Sequence, residues 1–251
     1  MYCIGDILLF IASRVHLLGI PIDALTMSEA VLMLQGFLES GTRHHVMTPN
    51  NEMLVESTKN PRFREVLQQS ALNLPDSQGL LFAARWRGHD LPERVTGVDT
   101  VTALCSQLNE RHPVFLLGAG EGIAEKAAAI LQSRNPRLKI VGTFSGNPRP
   151  EYSPDIIKAI NVAQPHLLLV AFGAPLQDLW IDEHLPTMSS VRVAMGVGGT
   201  LDFIAGVRNR APAIIRKIGL EWLWRFVQEP SRWRRMWRAV VVFPWLIIRG
   251  V

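Results

Sequence analysis

The stretch that decides the fold is Val114-Phe115-Leu116-Leu117-Gly118-Ala119-Gly120. Four apolar residues typical of a buried strand end in a glycine-rich turn. Apolar residues at helical spacing follow over 123–132, and a second strand-like run covers 139–143. A strand–helix–strand unit of this kind places parallel strands in one sheet with helices on its faces, so the stretch predicts an α/β fold.

The same alternation extends in both directions along the chain. Further strands are predicted over 45–48, 167–172 and 192–196, and further helices over 28–37, 60–70 and 154–163. We therefore predict a Rossmann-like parallel sheet flanked by helices. After Gly206 the pattern changes to two helices, 213–227 and 231–242, separated by Pro230. This predicts a body over residues 1–207 and a helical C-terminal appendage over 208–251.

Charge divides the chain at the same place. Residues 1–207 hold 16 Lys+Arg and 20 Asp+Glu, whereas 208–251 hold 10 Lys+Arg against only Glu221 and Glu229. Five of the seven tryptophans also lie in the appendage. Interleaved arginine and tryptophan suit anionic lipid, a diphosphate or nucleic acid; a solvated basic helix is the alternative. The acidic body argues against nucleic acid, and the tryptophans favour a bilayer interface.

Several classes of protein are excluded by composition. Two cysteines cannot build a disulfide scaffold. Residues 1–12 lack the basic start of a secretory signal, and no run reaches the ~18 apolar residues of a membrane span. We therefore expect a cytoplasmic protein held peripherally on the inner face of the cell membrane by its appendage. The sequence leaves homo-oligomerisation open.

Polar and glycine-rich turns follow the predicted strands, where open α/β sheets bind ligands. They are residues 48–51, 118–120, 173–177 and 196–200. The turn at Gly118 suits either phosphate binding or a tight strand–helix connection alone. Because position 123 is Ile123, the dinucleotide fingerprint is incomplete, which disfavours a nucleotide-dependent oxidoreductase. No cofactor is predicted.

Two charged segments have alternative interpretations. Asp76 is a candidate general base, although an aspartate at this place also suits the N-cap of a helix over 79–85. Arg94 and Asp99 frame a short segment in which an ion pair, or a cap by Asp99, is the simpler explanation.

Taken in order, these motifs resemble the WecG/TagA/CpsF family of bacterial glycosyltransferases over most of the chain. The matching segments are Thr48-Pro49-Asn50, Pro75-Asp76, residues 94–99, residues 173–177 with Trp180, residues 196–206, Arg210-Ala211-Pro212, and Glu221-Trp222 followed by Arg225 and Pro230. The chain departs from the family pattern at Ser77, Leu176, Asp178 and Leu201.

The resemblance implies transfer of an N-acetylmannosamine-type sugar, with inversion, from a UDP donor to N-acetylglucosamine on undecaprenyl diphosphate, in cell-surface polysaccharide or teichoic acid synthesis. It makes Asp76 the base, Thr48 and Asn50 a substrate-contacting pair, and Gln177 a nucleotide-sugar contact. The loop around Gly198 can present backbone amides. A UDP-N-acetylmannosaminuronic acid donor, another UDP-hexose, and a non-catalytic sugar-nucleotide-binding membrane adaptor are the alternatives.

The sequence contains no Asp-x-Asp motif of the kind that holds a metal in many glycosyltransferases. We therefore predict a metal-independent reaction in which cationic side chains stabilise the departing UDP. The candidates are Arg94 and the appendage residues Arg225, Arg232 and Arg235.

Overall fold

The fold is taken from a computed structural model, which describes residues 13–212, 214–215, 219, 221–228 and 230–250, without the side chains of Arg225 and Arg232. The strands within these ranges are β1 (Arg14–Leu17), β2 (Ile20–Asp23), β3 (His44–Met47), β4 (Leu72–Asn73), β5 (Val114–Gly118), β6 (Ile140–Phe144), β7 (Leu167–Ala171) and β8 (Val193–Gly196).

Six of these strands form one sheet in the order β4-β3-β8-β7-β5-β6. Every neighbouring pair in it is parallel. The central strands are buried along their whole length, as expected for a parallel sheet covered on both faces. The predicted Rossmann-like α/β fold is therefore confirmed, and the predicted strand ends agree with the structure to within one residue.

The α-helices follow the predicted alternation. They are α1 (Met27–Glu39), α2 (Asn51–Ser57), α3 (Pro61–Gln69), α4 (Gln78–Trp86), α5 (Gly97–Gln107), α6 (Ile123–Arg134), α7 (Ser153–Ala163), α8 (Leu176–His184), α9 (Thr200–Ile204), α10 (Glu221–Gln228), α11 (Trp233–Trp237) and α12 (Phe243–Arg249).

Alternate side chains of each strand enter different apolar clusters, because successive residues of a strand point to opposite faces. In β7, Leu167 and Leu169 join the cluster formed with α1, α5, α6 and α9. Leu168 and Val170 join the cluster formed with α7 and α8. The result is a sheet between two helical layers, with its ligand-binding edge left open at the strand ends.

An antiparallel hairpin of β1 and β2 lies outside the main sheet and was not predicted. Its two-residue turn has positive φ at Leu18 and Gly19, as hairpin turns of this length require. Pro21 lies inside β2, and a proline within a short run argues against a strand, so the hairpin was not recognised. The prediction about a secretory signal concerns residues 1–12, which lie outside the described residues.

The appendage differs from the two predicted helices. Within the described residues, α10 begins at Glu221 rather than at residue 213, and Gly219 just before it has a φ of +78°. The predicted helix over 231–242 is instead a 3₁₀ turn (Pro230–Arg232), α11, a π-helical turn (Arg238–Val242) and α12. Pro244 does not stop this segment because it occupies the first turn of α12, where a missing N–H costs little.

The appendage packs closely against the body. Phe243, Leu246 and Ile247 are buried in the cluster that contains β1, β2 and α2–α4. The division at residue 207 stays a prediction, but the last helix is part of the body's core. Among the described helices, none is long and apolar enough to span a membrane.

Candidate active site

A cleft lies at the carboxyl ends of β3, β4, β7 and β8, where the topology of open α/β sheets favours ligand binding. It consists of two adjoining cavities, a smaller one of about 200 Å³ and a larger one of about 670 Å³. Five residues border both cavities: Asn50, Glu52, Asp76, Val98 and Arg235. The cleft therefore joins body and appendage around two carboxylates, Glu52 and Asp76.

Asp76 does not cap α4. The N-cap of that helix is Ser77, whose hydroxyl instead donates to Asn51 Oδ1 at 2.7 Å. The N-cap interpretation of Asp76 is therefore wrong, because α4 begins at Gln78 and Ser77 is the residue that immediately precedes it. The Asp76 backbone N–H donates to the Pro49 carbonyl at 3.0 Å, which fixes this residue beside the turn after β3.

Thr48 and Asn50 both border the larger cavity, as their spacing predicted. Thr48 is buried, and its hydroxyl donates to the Gly196 carbonyl at 3.4 Å. Asn50 is the N-cap of α2, with Oδ1 accepting from the Met53 N–H at 3.0 Å. The side-chain oxygen of Asn50 is thus used by the helix, and its side-chain NH₂ group is the part left for a ligand.

Gln177 joins two loops of the cleft. Its Oε1 accepts from the Gly173 N–H at 3.0 Å and from the Gly198 N–H at 2.9 Å. These loops follow β7 and β8, so a single side-chain oxygen fixes their relative position. Gln177 also borders the larger cavity together with Gly198, but its exposed fraction is only 3%. Its evident role is to position backbone amides.

Gly118 does not border either cavity. Its φ is +91°, and a Cβ there would lie 2.9 Å from the Ala171 carbonyl oxygen. Both conditions require glycine without any ligand. The structure therefore favours the tight-turn interpretation over the phosphate-binding one.

Arg94 and Asp99 do not pair with each other; each contacts the C-terminal part of the chain. Arg94 borders the smaller cavity, and its Nη2 lies 3.2 Å from Glu221 Oε2 on α10. Asp99 accepts from both terminal nitrogens of Arg210, at 2.6 and 3.0 Å. These two ion pairs connect the loop before α5, and α5 itself, with the beginning of the appendage.

Four arginines border the larger cavity: Arg208, Arg234, Arg235 and Arg238. Two of them are held by carboxylates of α2, since Arg235 Nε lies 2.7 Å from Glu52 Oε1 and Arg238 Nη1 lies 3.1 Å from Glu56 Oε2. Of the arginines predicted from the sequence, Arg94 and Arg235 reach the cleft, whereas the side chains of Arg225 and Arg232 lie outside the described part. Arg208, Arg234 and Arg238 were missed because only tertiary packing brings them to the cleft.

The family profile for glycosyl transferases of the WecG/TagA/CpsF family matches residues 15–251. The chain belongs to this family. It is 28% identical to an N-acetylglucosaminyldiphosphoundecaprenol N-acetyl-beta-D-mannosaminyltransferase of Staphylococcus aureus (strain MW2), over 95% of this chain and 93% of that protein. A transferase of the same description from Bacillus spizizenii is 28% identical over 80% of this chain and 77% of its own length. The chain is thus a glycosyltransferase, as the resemblance predicted.

One of this glycosyltransferase's departures from the family pattern, Asp178, lies beneath the cleft. Asp178 is fully buried, and its Oδ1 is 3.9 Å from His45 Nε2. Burial raises the pKa of Asp178 to about 7 and lowers that of His45 to about 4. Around pH 5 to 6, Asp178 is therefore protonated and His45 is deprotonated, so both buried side chains are neutral. Gly196 has no room for a side chain here, since a Cβ would lie 2.6 Å from Gln177 Nε2.

The Asp178→Asn substitution is expected to raise the melting temperature at pH 8. Asp178 has a pKa of about 7 when folded against 3.8 ordinarily, so its contribution to stability is lost as pH rises through 7. Asparagine keeps the shape of the neutral acid and removes the buried charge. The advantage should shrink steadily from pH 8 to pH 4 in thermal unfolding followed by circular dichroism.

An exposed Asp155→Asn variant is the control for this experiment, and its difference from the wild type should not change with pH. Both variants should still lose stability in acid, because both retain His45. His45 has a folded pKa of about 4, so its contribution is complete above 6.5 and is lost as pH falls through 4. An Asp178→Asn effect of equal size at pH 4 and pH 8 would contradict the assignment.

Over the described ranges, no group of three or more His, Cys, Asp or Glu side chains is arranged to hold a metal ion. The cations next to the cleft are arginines.

Proposed function

We propose that the enzyme transfers an N-acetylmannosamine-type sugar from a UDP donor to N-acetylglucosamine on undecaprenyl diphosphate, with inversion and without a metal. The activity for which its relatives are named supports the sugar and the acceptor. The observation that carries the proposal is the position of Asp76, a carboxylate bordering both cavities and not used to cap a helix.

In the proposed step, the acceptor hydroxyl oxygen attacks the anomeric carbon of the donor sugar. The new glycosidic bond forms as the bond from that carbon to the UDP oxygen breaks, and Asp76 takes the hydroxyl proton. One positioned carboxylate suffices for this proton transfer. UDP leaves with the bonding electrons, so negative charge develops on its diphosphate.

The larger cavity suits the UDP-sugar. Its volume of about 670 Å³ is within the range of small-molecule sites. Arg208, Arg234, Arg235 and Arg238 border it, and so does the Gly198–Gly199 loop. A guanidinium group can donate two parallel hydrogen bonds to phosphate oxygens. It also stabilises the negative charge that develops on the diphosphate in the transition state. Arg94, Arg225 and Arg232 stay candidates for the same role.

The smaller cavity suits the acceptor. Trp222, Phe226, Met236 and Val240 of the appendage border it, beside Asp76 and Arg94. Apolar side chains next to a carboxylate and an arginine fit a sugar diphosphate that carries a lipid chain. We propose that the appendage brings the enzyme to the membrane surface and closes the cleft over this substrate. This would place the protein peripherally on the cytoplasmic face of the cell membrane.

The test is release of UDP when a UDP-N-acetylmannosamine donor is mixed with a short-chain lipid diphosphate bearing N-acetylglucosamine. Turnover that requires both substrates supports the transferase, and binding of the donor without turnover supports the adaptor alternative. Parallel reactions with the corresponding UDP-uronic acid and with other UDP-hexoses identify the donor. Nuclear magnetic resonance of the product's anomeric proton tests inversion.

We expect activity to survive chelation by EDTA, because arginines rather than a metal are proposed to stabilise the departing UDP. The measurement is the UDP-release rate with EDTA and with added Mg²⁺ or Mn²⁺. A glycosyltransferase that does depend on a metal, assayed in the same buffer, shows that the chelator is effective. Loss of turnover that the added metal restores would overturn the arginine account.

A further inference from the structure

Helix α4 and the segment from Arg238 to Arg249 are linked near both of their ends. At one end, Asn51 connects them: its Nδ2 donates to the Ala239 carbonyl at 2.9 Å, and its Oδ1 accepts from Ser77, the N-cap of α4. At the other end, a Cβ on Gly250 would lie 3.9 Å from Arg87 Nη2. Between these points both helices contribute to one apolar cluster, through residues such as Leu80 and Ile247.

Both helices also expose a row of apolar side chains. On α4, Phe82 and Trp86 are one turn apart and are 61% and 72% exposed. On the neighbouring segment, the exposed side chains recur at helical spacing: Trp237, Val241, Trp245 and Ile248. We call these six residues the two-helix face. Two adjacent rows of this kind form an apolar surface that a soluble protein seldom leaves uncovered.

The two segments that carry the two-helix face have only basic charged residues. Residues 77–88 and 230–250 contain no Asp or Glu, whereas they contain Arg85, Arg87, Arg234 and Arg249 among other arginines. The Arg249 guanidinium lies over the Trp245 ring, 4.0 Å from its centroid. Tryptophan and arginine beside an apolar row are the groups that bind the headgroup region of anionic membranes.

We propose that α4, a helix of the body, binds the anionic membrane surface together with the appendage, through the two-helix face. The proposal rests on the membrane association proposed above and adds α4 to the appendage as a second membrane-binding element. A bilayer fits better than a second copy of the chain, because two copies of this basic face would repel each other. Since Asp76 lies just before α4, binding through α4 also fixes the cleft relative to the lipid headgroups.

The experiment measures co-sedimentation of the full chain with vesicles of phosphatidylcholine and phosphatidylglycerol, and with vesicles of phosphatidylcholine alone. The test variant is Phe82→Ser with Trp86→Ser, and the appendage variant is Trp237→Ser with Trp245→Ser. Leu32→Ser with Val162→Ser is the matched control, because these side chains are equally exposed on α1 and α7. We expect each of the first two variants to lower the partition coefficient at least about tenfold, and the control to leave it unchanged.

The α4 variant should keep the wild-type rate with a short-chain, water-soluble acceptor, which shows that it is folded. If the double variant does not fold, Trp86→Ser alone serves, since that side chain is mostly exposed. Unchanged vesicle binding by the α4 variant, with a loss in the appendage variant, would overturn this proposal and leave the proposed function intact. Failure of the wild type to bind vesicles would overturn both membrane proposals. A dimer in sedimentation velocity that the α4 variant dissociates, with vesicle binding unchanged, would identify the face as a self-association contact instead.

Discussion

Replacing Asp76 with asparagine is expected to lower the transfer rate by about a hundredfold to ten-thousandfold, the range for loss of a general base. Asparagine preserves the size of the side chain, but it cannot accept the proton of the acceptor hydroxyl. The rate of UDP release with lipid-linked acceptor measures this loss. UDP binding, measured by calorimetry, should stay close to that of the wild type, because the larger cavity is bordered mainly by other groups.

The matched control is Asp90→Asn, which removes an exposed carboxylate 3.7 Å from Arg85. It should turn over at the wild-type rate. If Asp76→Asn also kept the wild-type rate, Asp76 would not be the base. A loss of UDP binding as large as the loss of rate would assign Asp76 to donor binding instead.

A chain that ends at Val207 is expected to lose transfer entirely. The truncation removes Arg208, Arg234, Arg235 and Arg238 from the larger cavity and one wall of the smaller one. The sequence predicted residues 1–207 as a separate body. The structure adds a cost, because Phe243, Leu246 and Ile247 are buried in the body's core. Their loss should lower stability by several kcal/mol, at ~1.5–3 kcal/mol for each buried side chain.

Single variants of the full chain distinguish the effect of lost stability on transfer from the effect of lost active-site cations. Arg235→Ala should melt near the wild-type temperature, since a surface ion pair such as that with Glu52 contributes only about 0–1 kcal/mol. We expect it to lower transfer by about a hundredfold or more, because it removes a preorganised cation from the cleft. Arg134→Ala, which removes an exposed arginine of α6 away from both cavities, is the control. Equal rates for the two variants would contradict a role for Arg235.

The fold could be predicted because most strands of the sheet are compact apolar runs, and recognisable helices separate several of them. The exceptions have physical reasons. β4 contains only two residues, and β2 contains Pro21, a residue that argues against a strand. Helix boundaries failed where turn geometry decides them, at Gly219 and at the π-helical turn before Pro244.

The candidate site was predicted in part. Thr48, Asn50, Asp76 and Gln177 meet at one edge of the sheet because they follow strands whose carboxyl ends lie together. The sequence could not show how they are used, since Gln177 acts on two backbone amides that are 4 and 21 residues away from it. Nor could it show that Arg235 and Arg238 contact Glu52 and Glu56, because about 180 residues separate these partners.

The burial of α12 in the body's core has a consequence for synthesis of the protein. Synthesis runs from the N-terminus, so every strand of the sheet is made before α12. The helix that completes this core is therefore made late, and so are Arg235, Met236 and Val240, which border the cleft. A nascent chain that has not yet reached α12 lacks part of the core and lacks the support for this wall, so we expect it to be unable to transfer sugar.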